Sequence, residues 1–321
     1  MKGILVKCIY GLLYLLSLLP MRIHYLFSDF FYLVVYYLVG YRVKLVRKNL
    51  ANSFPEKSVE ELKKTEKAFY HWFCDYLVET IKMMTISEKE LRKRMVFVGT
   101  ELIDQCVREN QSCALYLGHY CNWEWITSIP LWMKEKASCG QIYHPLENAD
   151  IDRIMLKQRN RFGSNSIPMA ETLRQLMKFK SENVNSVIGY ISDQTPFWNN
   201  IHHWVMFLNQ DTPVLTGTER LVRKMKQAAF YLDISRVKRG YYKAEYKLIT
   251  REPQKMKEFE ITDTYFRMLE DSIRRAPAYW LWTHNRWKRS HEEFNIRFDP
   301  STGRVNLDPD LEKVKRERGL V

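Results

Sequence analysis

Two greasy runs at the very start of the chain limit its fold more than any other feature. Ile4 to Leu19 is apolar apart from Lys7 and Ser17 and stops at Pro20-Met21-Arg22. Tyr25 to Val39 follows, with only Ser28 and Asp29 as polar breaks. A spanning helix needs about 20 apolar residues, so each run is marginal for a clean span. Leu18-Leu19-Pro20-Met21-Arg22 lacks the small residues of a signal-peptide cleavage site. An internal helical hairpin of a large core is one reading. An uncleaved membrane anchor over residues 1–40 is the preferred one. Arg42, Lys44, Arg47 and Lys48 come directly after, and the positive-inside rule then puts the body of the protein on the cytoplasmic face, at a cell inner membrane.

Beyond this anchor, residues 41–95 read as a helical segment. Ser58 caps a long helix over residues 58–84 with Glu61 three residues on, and Leu62, Phe69, Phe73, Leu77 and Ile81 recur at helical spacing. From Val96 short apolar runs alternate with amphipathic stretches. Strands are expected at Ala114–Leu117, Val187–Ile191, Ala228–Val237 and Tyr242–Thr250, and helices at Ile151–Arg161, Ala170–Lys180, Pro213–Lys226 and Thr262–Arg275. That alternation predicts an α/β domain over 96–302, a mixed sheet flanked by helices. The charged tail over 303–321 is expected to be loosely attached.

The surface is basic: 50 Lys and Arg against 37 Asp and Glu give +13. The partners of such a surface are anionic lipid, an acidic carrier protein or nucleic acid. Nucleic acid fits poorly, because the cations are spread along the chain and no helix-turn-helix, zinc-finger or RNA-recognition pattern occurs. A non-catalytic basic membrane-bound binding protein is the alternative of another class. The six cysteines have no C-x-x-C spacing, so reduced thiols are expected.

Chemistry concentrates in Ala114-Leu-Tyr-Leu-Gly-His-Tyr-Cys-Asn-Trp-Glu124. A buried strand runs into Gly118, which permits a tight turn, and His119 follows at once. Asn122 can cap a helix carrying Glu124 in its first turn. On one continuous helix His119 and Glu124 would lie about 140° apart, so they meet only if His119 sits on the preceding loop. Glu124 would then orient the imidazole while His119 takes a proton from an attacking hydroxyl. A turn histidine beside a helix carboxylate is the plainer reading of the same spacing. Asp193 and Gln194 stand at the end of an expected strand, where α/β sheets gather their sites; they also suit loop capping. His202, His203 and His144 lack metal-site spacing, and no metal is expected.

With the rest of the chain, this stretch resembles the lysophospholipid acyltransferase superfamily, marked by H-x-x-x-x-D/E, and in particular the late acyltransferases of lipid A biosynthesis, the lauroyl and myristoyl transferases. The blocks that carry the resemblance are Tyr41-Arg42 with Val46-Arg47-Lys48-Asn49-Leu50, Leu117-Gly118-His119 through Glu124, Gln158 to Asn165, Tyr190-Ile-Ser-Asp193-Gln194, Phe207-Leu208 through Gly217, and Trp282-Thr-His-Asn-Arg286-Trp-Lys288. They fall in order over about residues 4 to 288. Asn209, Asn285 and the sequence Asp193-Gln-Thr-Pro depart from the usual pattern. The resemblance implies O-acyl transfer from an acyl thioester, on acyl carrier protein or coenzyme A, to a hydroxyl of a lipid A precursor or related glycolipid. A lyso-aminolipid or lysophospholipid acceptor is the alternative. The thioester is a co-substrate, and no cofactor is implied. Arg161 takes the key place in the arginine block and is the candidate for acceptor phosphate or the thioester side, with a structural ion pair to Asp193 as the other possibility.

Overall fold

The computed structural model describes residues 2–320; Met1 and Val321, the ends of the expected anchor and tail, lie outside the described residues, as do the side chains of residues 2–5 and 7. The chain begins with helices α1 (Lys2–Leu18) and α2 (Met21–Tyr32), a π-helical turn at Leu33–Leu38, α3 (Val43–Ser53), α4 (Val59–Lys82) and α5 (Glu88–Arg94). It continues through β1 (Met95–Val98), α6 (Thr100–Arg108), β2 (Cys113–Leu117), β3 (Ser138–Tyr143), α7 (Ala149–Arg159), β4 (Asn165–Pro168), α8 (Thr172–Ser181) and β5 (Ser186–Ile191). A small hairpin, β6 (Trp204–Phe207) and β7 (Gln210–Pro213), precedes α9 (Gly217–Met225), β8 (Ala228–Lys238), β9 (Tyr241–Thr250) and α10 (Glu260–Arg275). The C-terminus carries α11 (His291–Arg297), β10 (Phe298–Asp299), β11 (Arg304–Val305) and α12 (Leu311–Glu317).

Seven strands form one mixed sheet in the order β1-β9-β8-β2-β5-β3-β4, flanked by helices. Every pairing is parallel except β8 with β9, so the α/β reading holds, and all four expected strands lie in this sheet. The edge strands β1 and β4 are four residues long, and their sequences carry no alternation long enough to read. β2 is buried at all five positions, as a central strand covered on both faces must be.

α4 begins with the expected capping box: Ser58 Oγ accepts from Glu61 N–H at 3.3 Å and Glu61 Oε2 accepts from Ser58 N–H at 2.8 Å. Its buried face includes Phe69, Tyr70 and Trp72 but also three carboxylates, Glu66, Asp75 and Glu79. These receive the N-terminal segment. Ser28 Oγ donates to Asp75 (2.7 Å), Tyr25 OH to Glu79 (3.0 Å) and Tyr36 OH to Glu66 (2.7 Å). Ser28, one of the two polar breaks in the second greasy run, is therefore a docking point on α4 together with the hydroxyls of Tyr25 and Tyr36, while the other break, Asp29, pairs with Arg239. Lys82 Nζ bonds the carbonyls of Ser17 and Leu19, which ties down the end of α1. Among the described residues no single helix is long and apolar enough to cross a membrane. The outward face is nonetheless apolar: Leu12, Leu15, Leu26, Phe30, Leu33 and Leu38 are each more than half exposed.

The tail differs from its expectation. α12 buries Val314 and packs on α11, and Arg318 donates to the carbonyl of Phe298. One apolar residue and one arginine are enough to dock a short charged helix, and average composition hides both.

Candidate active site

β2 and β5 lie side by side in parallel register, Leu117 opposite Ile191. His119 is two residues past the end of β2, and Asp193 is two residues past the end of β5. Equal offsets from paired strand ends bring the two side chains together at the carboxyl edge of the sheet. His119 Nδ1 lies 2.6 Å from Asp193 Oδ1, and the His119 backbone N–H donates to Asp193 Oδ2 at 2.9 Å. Trp280 Nε1 donates to the same Oδ2 at 2.8 Å. Three donors thus hold a carboxylate that is almost wholly buried.

Burial alone would raise the Asp193 pKa, but the imidazole charge and the hydrogen bonds from His119 and Trp280 outweigh it and hold the carboxyl at about 2. An ionised Asp193 requires the proton on Nδ1 of His119 and leaves the Nε2 lone pair free to act as base. Gln194 Nε2 lies 3.3 Å from that atom and can donate to it. The indole of Trp123 meets the imidazole edge-on at 5.1 Å, which restrains the ring further.

Gly118 is required for this approach. A Cβ there would stand 2.7 Å from Leu269 Cδ1 and 3.2 Å from Asp193 Oδ2. After His119 the chain pairs with the C-terminal block: Leu281 N–H donates to the His119 carbonyl at 3.1 Å and Cys121 N–H to the Tyr279 carbonyl at 2.8 Å. Cys121 then turns through a left-handed conformation, φ 52°, before a 3₁₀ helix at Trp125–Leu131. Glu124 itself occupies the cap position and makes no side-chain cap bond, so it precedes the helix instead of lying in its first turn. Asn122, two residues earlier, braces the turn, its Oδ1 accepting from Trp125 N–H at 3.0 Å while its Nδ2 donates to Glu79 at 2.7 Å.

This turn carries Glu124 away from the imidazole, so the expected His119–Glu124 contact is corrected. Glu124 is buried and paired bidentately with Arg159, Nε to Oε2 at 2.8 Å and Nη2 to Oε1 at 2.6 Å. The carboxylate that orients His119 is Asp193. Burial disfavours the Arg159 charge, but Glu124 more than compensates and keeps the guanidinium firmly protonated. Tyr76 stacks on Trp123 at 4.1 Å and so packs against the same loop.

Arg161 does not meet Asp193. Its Nη1 donates to the Met83 carbonyl at 2.8 Å, at the end of α4, and its guanidinium covers Phe162. The arginine brought onto the motif is Arg159, two positions earlier in the same block. Arg159 and Arg161 point to different sides of the chain as α7 ends, a difference that spacing does not reveal. His203 pairs with Asp263 at 2.7 Å on the β6–β7 side, and His144 bonds the carbonyl of Pro145.

The C-terminal block also brings in His284, which no spacing in the sequence marks as part of the site. Thr195 N–H points to its Nε2 at 3.4 Å. Burial, opposed by the Asp193 charge, pulls its pKa down to about 4, so it is a neutral acceptor beside the Asp193–Gln194–Thr195 loop. Arg286, fully buried behind it, donates to the Pro213 carbonyl at 2.7 Å. Asn49 holds this block from the other side through the carbonyls of Trp282 and His284.

An imidazole with a free Nε2, backed by a buried carboxylate at the ends of two parallel strands, is a proton-accepting site of the kind acyl-transfer enzymes use. Residues 4–289 match the family model described as bacterial lipid A biosynthesis acyltransferase, and the chain belongs to that family. No curated protein matches the chain.

Proposed function

We propose that this acyltransferase moves a fatty acyl chain from a thioester, on acyl carrier protein or coenzyme A, to a hydroxyl of a lipid A precursor. The carrying observation is the His119–Asp193 pair at the carboxyl edge of the sheet. His119 Nε2 removes the hydroxyl proton as the oxygen attacks the thioester carbonyl. Asp193 stabilises the imidazolium and sets the tautomer. When the tetrahedral intermediate collapses, the C–S bond breaks and the imidazolium returns its proton to the departing thiolate, leaving an ester and a free thiol.

In this reading Glu124 acts through Arg159. It fixes a half-buried guanidinium against the loop that follows His119, where a cation suits the developing oxyanion. Gln194 steadies the base. Arg161 supports the fold through Met83. The exposed apolar face of α1 and α2, with exposed Arg22 on α2 and exposed Lys44 and Lys48 following on α3, suits a protein seated in an anionic bilayer at the cytoplasmic face of the inner membrane. The test is thioester turnover by the purified protein with lipid A precursor as acceptor, with lysophospholipid as competitor. Free thiol released without an acylated glycolipid would refute the acceptor, and no turnover of any acyl thioester would refute the reaction.

A further inference from the structure

A polar cavity of about 370 Å³ opens between α2, α4 and the end of β8, lined by Tyr32, Lys67, His71, Asp75, Arg236 and Arg239. Its floor is an ion cluster built on the buried Asp75, with Arg236, Arg239 and Asp29 partly exposed around it. Asp75 accepts from Arg236 Nη2 at 2.7 Å and from Arg239 Nη2 at 2.7 Å, and Arg239 also reaches Asp29 at 2.5 Å. Such a cluster locks the β8–β9 turn onto the N-terminal helices, which is a sufficient structural role for the two carboxylates. It does not use up the cations. Arg236 engages Asp75 through one nitrogen only, and Lys67 has no ion pair or hydrogen bond among the described residues. Of the lining residues Lys67, Arg236 and Arg239 are cationic and Asp75 is anionic. Asp29 pairs with Arg239 and Glu79 lies near Arg236, and the unengaged N–H groups belong to Lys67 and Arg236.

Position narrows the ligand. Tyr32 lines the cavity, and its neighbours Phe30 and Leu33, with Tyr37 one turn on, are each more than half exposed. The opening therefore lies at the border of the apolar face, at headgroup depth if that face meets lipid. On the inner side the Arg236 guanidinium covers the Tyr279 ring at 5.3 Å, and the Tyr279 carbonyl holds Cys121 of the catalytic loop. A group bound here would sit one layer of side chains from that loop.

We infer that this cavity binds a phosphate monoester carried at the membrane surface, an anchoring point for a phosphorylated lipid separate from the acyl-transfer centre. Guanidinium and ammonium donors around a half-open cavity match phosphate oxygens, and a monoester presents more charge and acceptors than a diester. The inference rests on the proposed seating of the apolar face in lipid and leaves the chemistry at His119 aside.

The test is binding, so a failure here is distinguishable from a failure of acyl transfer. Full-length protein in detergent micelles is titrated with short-chain phosphatidic acid, with phosphatidylglycerol at matched charge, and with inorganic phosphate. Two variants are compared. The double variant Lys67→Gln with His71→Gln leaves both arginine contacts of Asp75 in place and removes only the 3.8 Å approach of His71 to Asp29, and Arg236→Lys keeps the charge but removes the fork. Thermal melts confirm that each is folded. Wild type is expected to prefer phosphatidic acid over phosphatidylglycerol by about tenfold, the scale of one charge-assisted hydrogen bond. Both variants should reduce that preference to about twofold or less. Variant-sensitive binding of inorganic phosphate with no preference for phosphatidic acid would keep the phosphate site and assign its source to a soluble ester. If neither probe distinguishes wild type from the folded variants, the inference is overturned.

Discussion

Replacing Asp193 by Asn is the sharpest perturbation of the site, because it changes charge and proton placement with almost no change in shape. Oδ2 accepts two hydrogen bonds, from the His119 backbone N–H and Trp280 Nε1, and Oδ1 faces His119 Nδ1. An asparagine satisfies most donors with its oxygen in the Oδ2 place, which turns its NH₂ toward Nδ1. The imidazole must then carry its proton on Nε2, and the base is lost. The charge effect adds to this. Asp193 is held at about 2, below an ordinary Asp, a net gap of about 2.5 kcal/mol that remains after its partners have offset the cost of burial. Loss of the imidazolium partner together with the wrong tautomer should lower kcat by about 10²–10⁴-fold. The assay is steady-state thioester turnover, with circular dichroism on the same samples. His119→Ala should fall by a similar factor, and the double variant should be little worse than either, since the two act as one unit. Folded Asp193→Asn protein with turnover within a few-fold of wild type would refute the pairing, and multiplicative losses would refute the shared role.

Glu124→Gln removes the charge partner of the half-buried Arg159, so it should cost about 1.5–3 kcal/mol in denaturant unfolding, and adding Arg159→Met should recover part of that stability; equal stability of Glu124→Gln and wild type would remove the pair from the account. Gly118→Ala forces Leu269 and Asp193 aside and should lose about 1–3 kcal/mol together with activity, measured by melting and turnover. Glu79 is pushed up to about 7 by burial and by the neighbouring Asp75 charge; its native state favours the protonated form, so stability should decline as pH rises from about 4.5 to about 7 and level off above. Glu79→Gln, which can still accept from Asn122, should flatten that decline in urea titrations across this range. Arg161→Lys should lower stability by about 1 kcal/mol with acceptor KM unchanged, since its guanidinium holds the Met83 carbonyl; a raised KM would restore it to the substrate side.

Local physics alone determined several features of this chain. A continuous apolar run ending in Gly-His predicts a buried strand with a histidine on its exit turn, because strand burial and turn chemistry are both written in neighbouring residues. The Ser58–Glu61 box predicts its helix for the same reason. Which carboxylate meets His119 was decided only in the tertiary structure. Glu124 is five residues away and Asp193 seventy-four, and only the adjacency of β2 and β5, with their matched register, makes the distant one the partner. That adjacency depends on β3 and β4 being threaded beyond β5 in the sheet, which spacing along the chain does not encode. The same holds for Arg159 against Arg161, where the packing of the end of α7 against α4 and the 3₁₀ turn selects between two arginines of equal local merit. It also holds for Ser28 and Tyr25, which look like flaws in a greasy helix until α4 supplies buried carboxylates to receive them. Short-range pattern sets what each residue can do; which partner it finds is set by the strand order and helix packing that bury it.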